Sequence, residues 1–104
     1  LTKKNVAKMT NPSAKGVNFT PDHVMGNPSK LEWNKAYHFE EIKDWANMSD
    51  TGNLSAMLDY VRDVPGSRLT IYYKSNTYMS GPLRARIEAL MKSGKVDLIP
   101  FIGE

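Results

Sequence analysis

Residues 54–73 read LSAMLDYVRDVPGSRLTIYY, and the change of period within them decides the fold class. Leu54, Met57, Leu58 and Val61 fall at i, i+3, i+4 and i+7, one stripe of an amphipathic helix. Asp50, Thr51 or Asn53 can cap the start of that helix, and Pro65-Gly66 ends it. Leu69-Thr70-Ile71-Tyr72-Tyr73 is β-branched and aromatic, which predicts a strand. The pattern then repeats. Ser80-Gly81-Pro82 opens a second helix, with proline placed where a missing N–H costs nothing. Leu83, Ile87, Leu90 and Met91 form its expected buried stripe, and Gly94 takes the C′ position. Val96 to Ile102 is the last predicted strand, and Pro100 within it calls for a sheet edge.

Working backwards, residues 17–45 read as extended chain. VNFTPDHVM (17–25) can form a strand, and Gly26-Asn27-Pro28-Ser29 is turn chemistry. LEWNKAYHFEEIKDWA (31–46) makes one long strand or two short ones. Alternation puts Tyr37, Phe39, Glu41, Lys43 and Trp45 on one face, and His38, Glu40, Ile42 and Asp44 on the other. A hairpin followed by two β-α-β crossovers gives an α/β fold: a mixed sheet of four or five strands flanked by helices. Residues 1–16 form a basic lead-in holding Lys3, Lys4, Lys8 and Lys15 and no acid. Val6 and Met9 can anchor a short helix there before Asn11-Pro12 stops it, and a solvated tail is the alternative. Residues 17–104 are the expected domain.

Composition narrows the possible functions. The 104 residues allow one small domain, and the absence of cysteine excludes a disulfide scaffold, a zinc ribbon and thiol chemistry. No apolar run is long enough to span a membrane. Fourteen Lys and Arg against eleven Asp and Glu give a net charge of +3, which permits a polyanionic partner without demanding one.

Three residues carry the chemistry. Asp22 follows Pro21 at a strand end, and Glu41 and Lys43 stand as Glu-Ile-Lys in the next strand. Two carboxylates converging from neighbouring strands offer hard oxygen ligands to Mg²⁺. A lysine two residues after the glutamate shares its strand face, within reach of a water on that metal. The metal lowers the water's pKa and stabilises charge on a phosphoryl oxygen, while the ammonium orients the water or neutralises developing charge. These parts suit phosphodiester hydrolysis.

The order of Asp22, Glu41-Ile42-Lys43 and a following helix resembles the PD-(D/E)XK, restriction-endonuclease-like fold. Glu41-Ile42-Lys43 through Ser49, Thr51 and Leu54, followed by LTIYYKSNTYMSGPL (69–83) and IEALMKSGKVDLIPFI (87–102), is similar to the toxin domains built on that fold. Those domains are the C-terminal warheads of contact-dependent growth inhibition and Rhs-type proteins. The resemblance covers residues 20–102, with two departures. The eighteen residues between Asp22 and Glu41 exceed the family's usual spacing, and Glu32, at nearer the usual distance, precedes Trp33-Asn34 with no lysine. The family often adds a glutamate on a first helix, and residues 1–21 contain no acid.

What the resemblance implies is a metal-dependent endonuclease. Asp22 and Glu41 would bind Mg²⁺ (Mn²⁺ or Zn²⁺ in its place), with the Ile42 carbonyl as a third ligand and Lys43 serving the hydrolytic water. The substrate would be DNA or, on the same fold, tRNA. The chain would belong to a larger secreted bacterial surface protein and act in the target-cell cytoplasm. A cognate immunity protein would neutralise it, and the basic surface predicts that this partner is acidic. A non-catalytic basic nucleic-acid-binding module is the contrasting class.

Several side chains have two readings. Thr51 and Asn53 match positions near the active-site helix of the resembling toxins and can touch phosphate, or they cap the helix. Lys74, Arg84 and Arg86 can contact phosphates or form a solvated face. His23 and His38 can act as base and acid in a metal-free ribonuclease, or be ordinary strand residues. Trp33, Trp45, Tyr72, Tyr73 and Tyr78 can stack on unpaired bases or fill the core.

Overall fold

Strands that alternate with helices run parallel, because each crossover returns the chain to the same end of the sheet. The computed structural model describes residues 5, 7–13, 16–43, 47–48 and 52–102. In chain order the elements are β1 (His23–Val24), β2 (His38–Lys43), β3 (Asn47–Met48), α1 (Gly52–Asp63), β4 (Arg68–Lys74), β5 (Tyr78–Met79), α2 (Gly81–Lys92) and β6 (Val96–Phe101). A four-stranded mixed sheet has the order β1-β2-β4-β6, with β1 antiparallel to β2 and the other two pairs parallel. β3 and β5 make a separate parallel pair.

The register aligns Phe39 with Leu69 and Leu69 with Val96, so these side chains share one face. That face meets Leu54, Met57, Leu58 and Val61 of α1 and Leu83, Ile87 and Leu90 of α2 in one buried cluster. The order β2-β4-β6 advances in one direction, so crossovers of the same hand put both helices on the same side, and one face is covered rather than two. The other face replaces packing with polar pairs: His38 Nε2 to Thr70 Oγ1 at 2.7 Å, Tyr72 hydroxyl to Glu40 at 3.2 Å, and Arg68 to Asp97 at 2.5 Å.

The helix ends follow the expected chemistry. The Ser80 side chain accepts from the Leu83 N–H with Pro82 in the first turn. Gly94, at φ 72°, lets the Lys95 N–H reach the Leu90 carbonyl at 3.0 Å. Gly66, at φ 85°, turns the chain after α1. At the sheet edge, Leu69 N–H donates to Lys95 and Ser75 N–H to Phe101. The alternate residue Pro100 therefore faces the free edge, where its missing N–H blunts it.

Four expectations need correction or qualification. Met9 does not lie in a helix: it forms an antiparallel bridge with Phe19, exchanging bonds of 2.7 and 3.1 Å. A one-turn helix is marginal alone, and burying Met9 completely in the core wins. Val6, Lys3, Lys4 and Lys15 lie outside the described residues, while Lys8 is exposed. Residues 17–45 are mostly irregular, with strands only at β1 and β2, and Asp44 and Trp45 lie outside the described residues. Met91 is 41% exposed, because Leu90 already fills the inward position at that turn. Asn53 sits inside α1 instead of capping it; Asp50 and Thr51 lie outside the described residues.

This arrangement separates two neighbouring residues of α2. Ile87→Ala should cost about 3 kcal/mol of unfolding free energy by leaving a cavity. Met91→Ala should cost less than about 1 kcal/mol, as surface changes do. Urea denaturation of both variants checks this, and equal losses would put Met91 in the core.

Candidate active site

β1 and β2 pair His23 with Glu40 and Val24 with Phe39, so one step further along the register Asp22 stands opposite Glu41. Opposite residues of an antiparallel pair project to the same face. The backbone ladder does not continue there; the two side chains replace it. The Asp22 N–H donates to Glu41 Oε1 at 2.7 Å, and the Ile42 N–H donates to Asp22 Oδ2 at 2.9 Å. Each carboxylate thus accepts from the backbone of the other strand. Glu32 is exposed in a turn and pairs with Lys35, so the connection from Met25 to Tyr37 absorbs the long spacing and Glu41 is the partner of Asp22.

Lys43 follows on the same face, its Nζ 3.1 Å from Glu41 Oε2. Both are buried, Glu41 at 1% exposure and Lys43 at 7%. Burial pushes the Glu41 carboxyl above its ordinary value. The Lys43 charge and the Asp22 N–H pull it back, and the nearby Asp22 carboxylate adds to the rise. β2 and β4 pair as far as Lys43 and Tyr73, and the same two chain segments pair again at β3 and β5 one residue out of step. The cluster therefore sits at the C-terminal end of β2.

A strand residue turns its N–H and C=O to the same edge. The Ile42 carbonyl accordingly faces the Asp22 side, while the Ile42 side chain is 42% exposed on the opposite face. Two carboxylates and one main-chain carbonyl are a hard-oxygen set that fits Mg²⁺ or Mn²⁺, whose remaining positions water and phosphate commonly fill. The buried Glu41 and half-buried Asp22, with Lys43 beside them among the described residues, also leave room for a further positive charge. Among the described residues, no three His, Cys, Asp or Glu side chains converge on one point.

The other sequence-singled residues scatter. Asn53 turns to Thr20, accepting its N–H at 2.9 Å and donating to its carbonyl at 3.2 Å. Arg86 ties α2 to α1 through Ser55 at 3.0 Å and through Asp59. Arg84 is exposed on α2, Lys74 ends β4 one residue beyond Tyr73, and Thr51 lies outside the described residues. His23 stands opposite Glu40, so the register sets both histidines on the face away from Glu41 and Lys43. Trp33 packs edge-on against Tyr60, and Tyr37 lies against Phe39; Tyr78 is exposed.

Sequence reading missed Asn5. Its backbone N–H donates to the Asp22 carbonyl at 2.7 Å and its side chain to the Pro21 carbonyl at 2.9 Å. A lone asparagine in a basic segment carries no periodic or motif signal. Compared with known protein families, characterised proteins and solved structures, the chain matches none.

The raised Glu41 carboxyl has a stability consequence. The native state holds that proton more tightly than the unfolded chain, whose carboxyl titrates near 4.5. The Glu41 contribution therefore falls as pH rises from 4.5 through its raised value. Glu41→Gln abolishes this term, so the variant's stability relative to wild type should improve with pH across that window. Urea melts at a series of pH values test it; a relative stability that worsens with pH would mean that Lys43 outweighs burial.

Proposed function

We propose that this chain is a metal-dependent nuclease of the restriction-endonuclease-like, PD-(D/E)XK class, hydrolysing phosphodiester bonds of DNA. The observation that carries this reading is the convergence of Asp22, Glu41 and Lys43 through two crossed backbone bonds and one ion pair. That motif residues far apart in sequence meet at one place supports this reading. Asp22, Glu41 and the Ile42 carbonyl would hold the divalent cation, Mg²⁺ first and Mn²⁺ or Zn²⁺ as substitutes. A bound cation would supply a water of lowered pKa and charge stabilisation at a phosphoryl oxygen. Lys43 brings a compact ammonium to the same face, where it orients the attacking water and offsets negative charge as the bond breaks. The Asp22–Ile42 and Glu41–Asp22 bonds fix both carboxylates before any ligand arrives, which limits reorganisation during reaction.

On this reading the chain is the toxin domain of a larger secreted bacterial surface protein, acting in the cytoplasm of a competing cell. The net charge of +3 suits a phosphate backbone and also an acidic immunity protein that covers the same surface. Lys74 and Arg84 are the described cations outside the cluster that are proposed to meet phosphate.

Incubating the purified chain with plasmid and total tRNA, in Mg²⁺, Mn²⁺, Zn²⁺ or EDTA, tests the proposal. Plasmid should be cut with metal and spared in EDTA. Asp22→Ala, Glu41→Ala and Lys43→Ala should each slow cutting by at least about a hundredfold while circular dichroism shows retained structure. Cleaved tRNA beside intact plasmid would reassign the substrate. Near-normal cutting by the Lys43 variant would remove its role, and binding without cutting under every condition would leave the binding-module class.

A further inference from the structure

We infer that Asn53, at the start of α1, is a positioning residue for Asp22; this deepens the reading of Asp22 and Glu41 as a cation site and rests on it. β1 has only two paired residues, so its ladder holds the preceding Asp22 weakly. Pro21, next before it, has no N–H to donate. The segment upstream therefore needs restraint from elsewhere. Asn53 supplies it by using its side-chain amide as a β-partner would use a peptide group. The Asn53 carbonyl oxygen accepts from Thr20 N–H at 2.9 Å, and its nitrogen donates to Thr20 O at 3.2 Å. Asn5 grips the next two residues, at the Pro21 and Asp22 carbonyls. Three successive residues are thus fixed from outside the strand.

Asn53 is a firm anchor because its helix is itself pinned. Leu54, Met57 and Leu58 are buried in the core beside it. The Asp22 carboxylate is consequently referenced to α1 as well as to β2. With its carbonyl and one N–H committed to Thr20, the Asn53 amide works as a clasp in place of the phosphate contact or helix cap expected from sequence.

Amide hydrogen exchange on the full chain reads the positioning directly. The Ile42 N–H is held by Asp22 and the Asp22 N–H by Glu41, so both amides report where the Asp22 segment sits. Asn53→Ala should raise the exchange of both by about tenfold relative to Ile71 in β4. Asn53→Asp keeps the acceptor for Thr20 N–H and loses the donor; it should give a smaller rise, and it decides the matter if the alanine variant does not fold. Ser80→Ala, which removes the α2 cap, should leave the ratio to Ile71 unchanged. Unchanged Ile42 and Asp22 exchange in the folded Asn53 variants would overturn the inference. Mn²⁺ titration by electron paramagnetic resonance runs beside it, with about tenfold weaker binding expected for Asn53→Ala. A wild-type chain that binds no Mn²⁺ would overturn the cation reading, while the exchange ratio would still judge the positioning.

Discussion

A carboxylate withdrawn from water must be given partners, and the burial of Glu41 organises everything around it. Its two oxygens are met by the Asp22 N–H and the Lys43 ammonium, and Asp22 is in turn held by the Ile42 N–H. Remove one member and a buried charge is left uncompensated. The same strand face carries Phe39 in the apolar core two residues earlier, so the face passes from hydrocarbon to ion pair within one β2 segment. Apolar residues at 41 and 43 would extend that core at least as stably, since buried ion pairs seldom exceed packed hydrocarbon. Stability alone therefore does not call for an ion pair at this place.

The fold channels the chain toward that point. Parallel pairing of β2, β4 and β6 aligns their C-terminal ends, and the one antiparallel strand brings Asp22 back beside Glu41. Main-chain pairing joins β2 to β4 up to Lys43 and Tyr73, and the described residues of the same two segments pair again at β3 and β5, one residue out of step. With both helices on one face, the cluster lies on the helix side, and the opposite face is dressed with hydrogen-bonded side chains. Tyr60 reinforces the far end: its hydroxyl donates to the Lys35 carbonyl at 2.5 Å, and burial pushes its pKa up to about 12. The hydroxyl stays a donor at any neutral pH and pins the long β1–β2 connection to α1.

The second half of the chain was legible because it repeats simple signals. The 3.6-residue stripe of Leu54 to Val61, the Ser80-Gly81-Pro82 start, Gly94 and edge Pro100 each state a local rule that tertiary packing then respects. Glu41 and Lys43 were legible as a strand-face pair, Asp22 as a strand-end acid and their convergence as an expectation, but not the pairing that brings it about. That depends on a register fixed by two residue pairs across a long irregular connection. The Met9–Phe19 bridge and the Asn5 and Asn53 clasps were illegible for a related reason: single contacts between distant residues leave no period in the sequence. Arg86 was read as a surface cation because its partner Asp59 is on another helix, and only packing brings the two together.

The central claim is that Asp22 and Glu41, fixed against each other by backbone amides, receive a divalent cation beside Lys43. Anomalous diffraction from crystals soaked in Mn²⁺ tests it most directly, because the signal locates the ion without any assumption about substrate. The account predicts one strong peak between the Asp22 and Glu41 carboxylates, in contact with the Ile42 carbonyl. A saturating soak with no density there, or with Mn²⁺ only at other carboxylates such as Asp59 or Asp63, would contradict it.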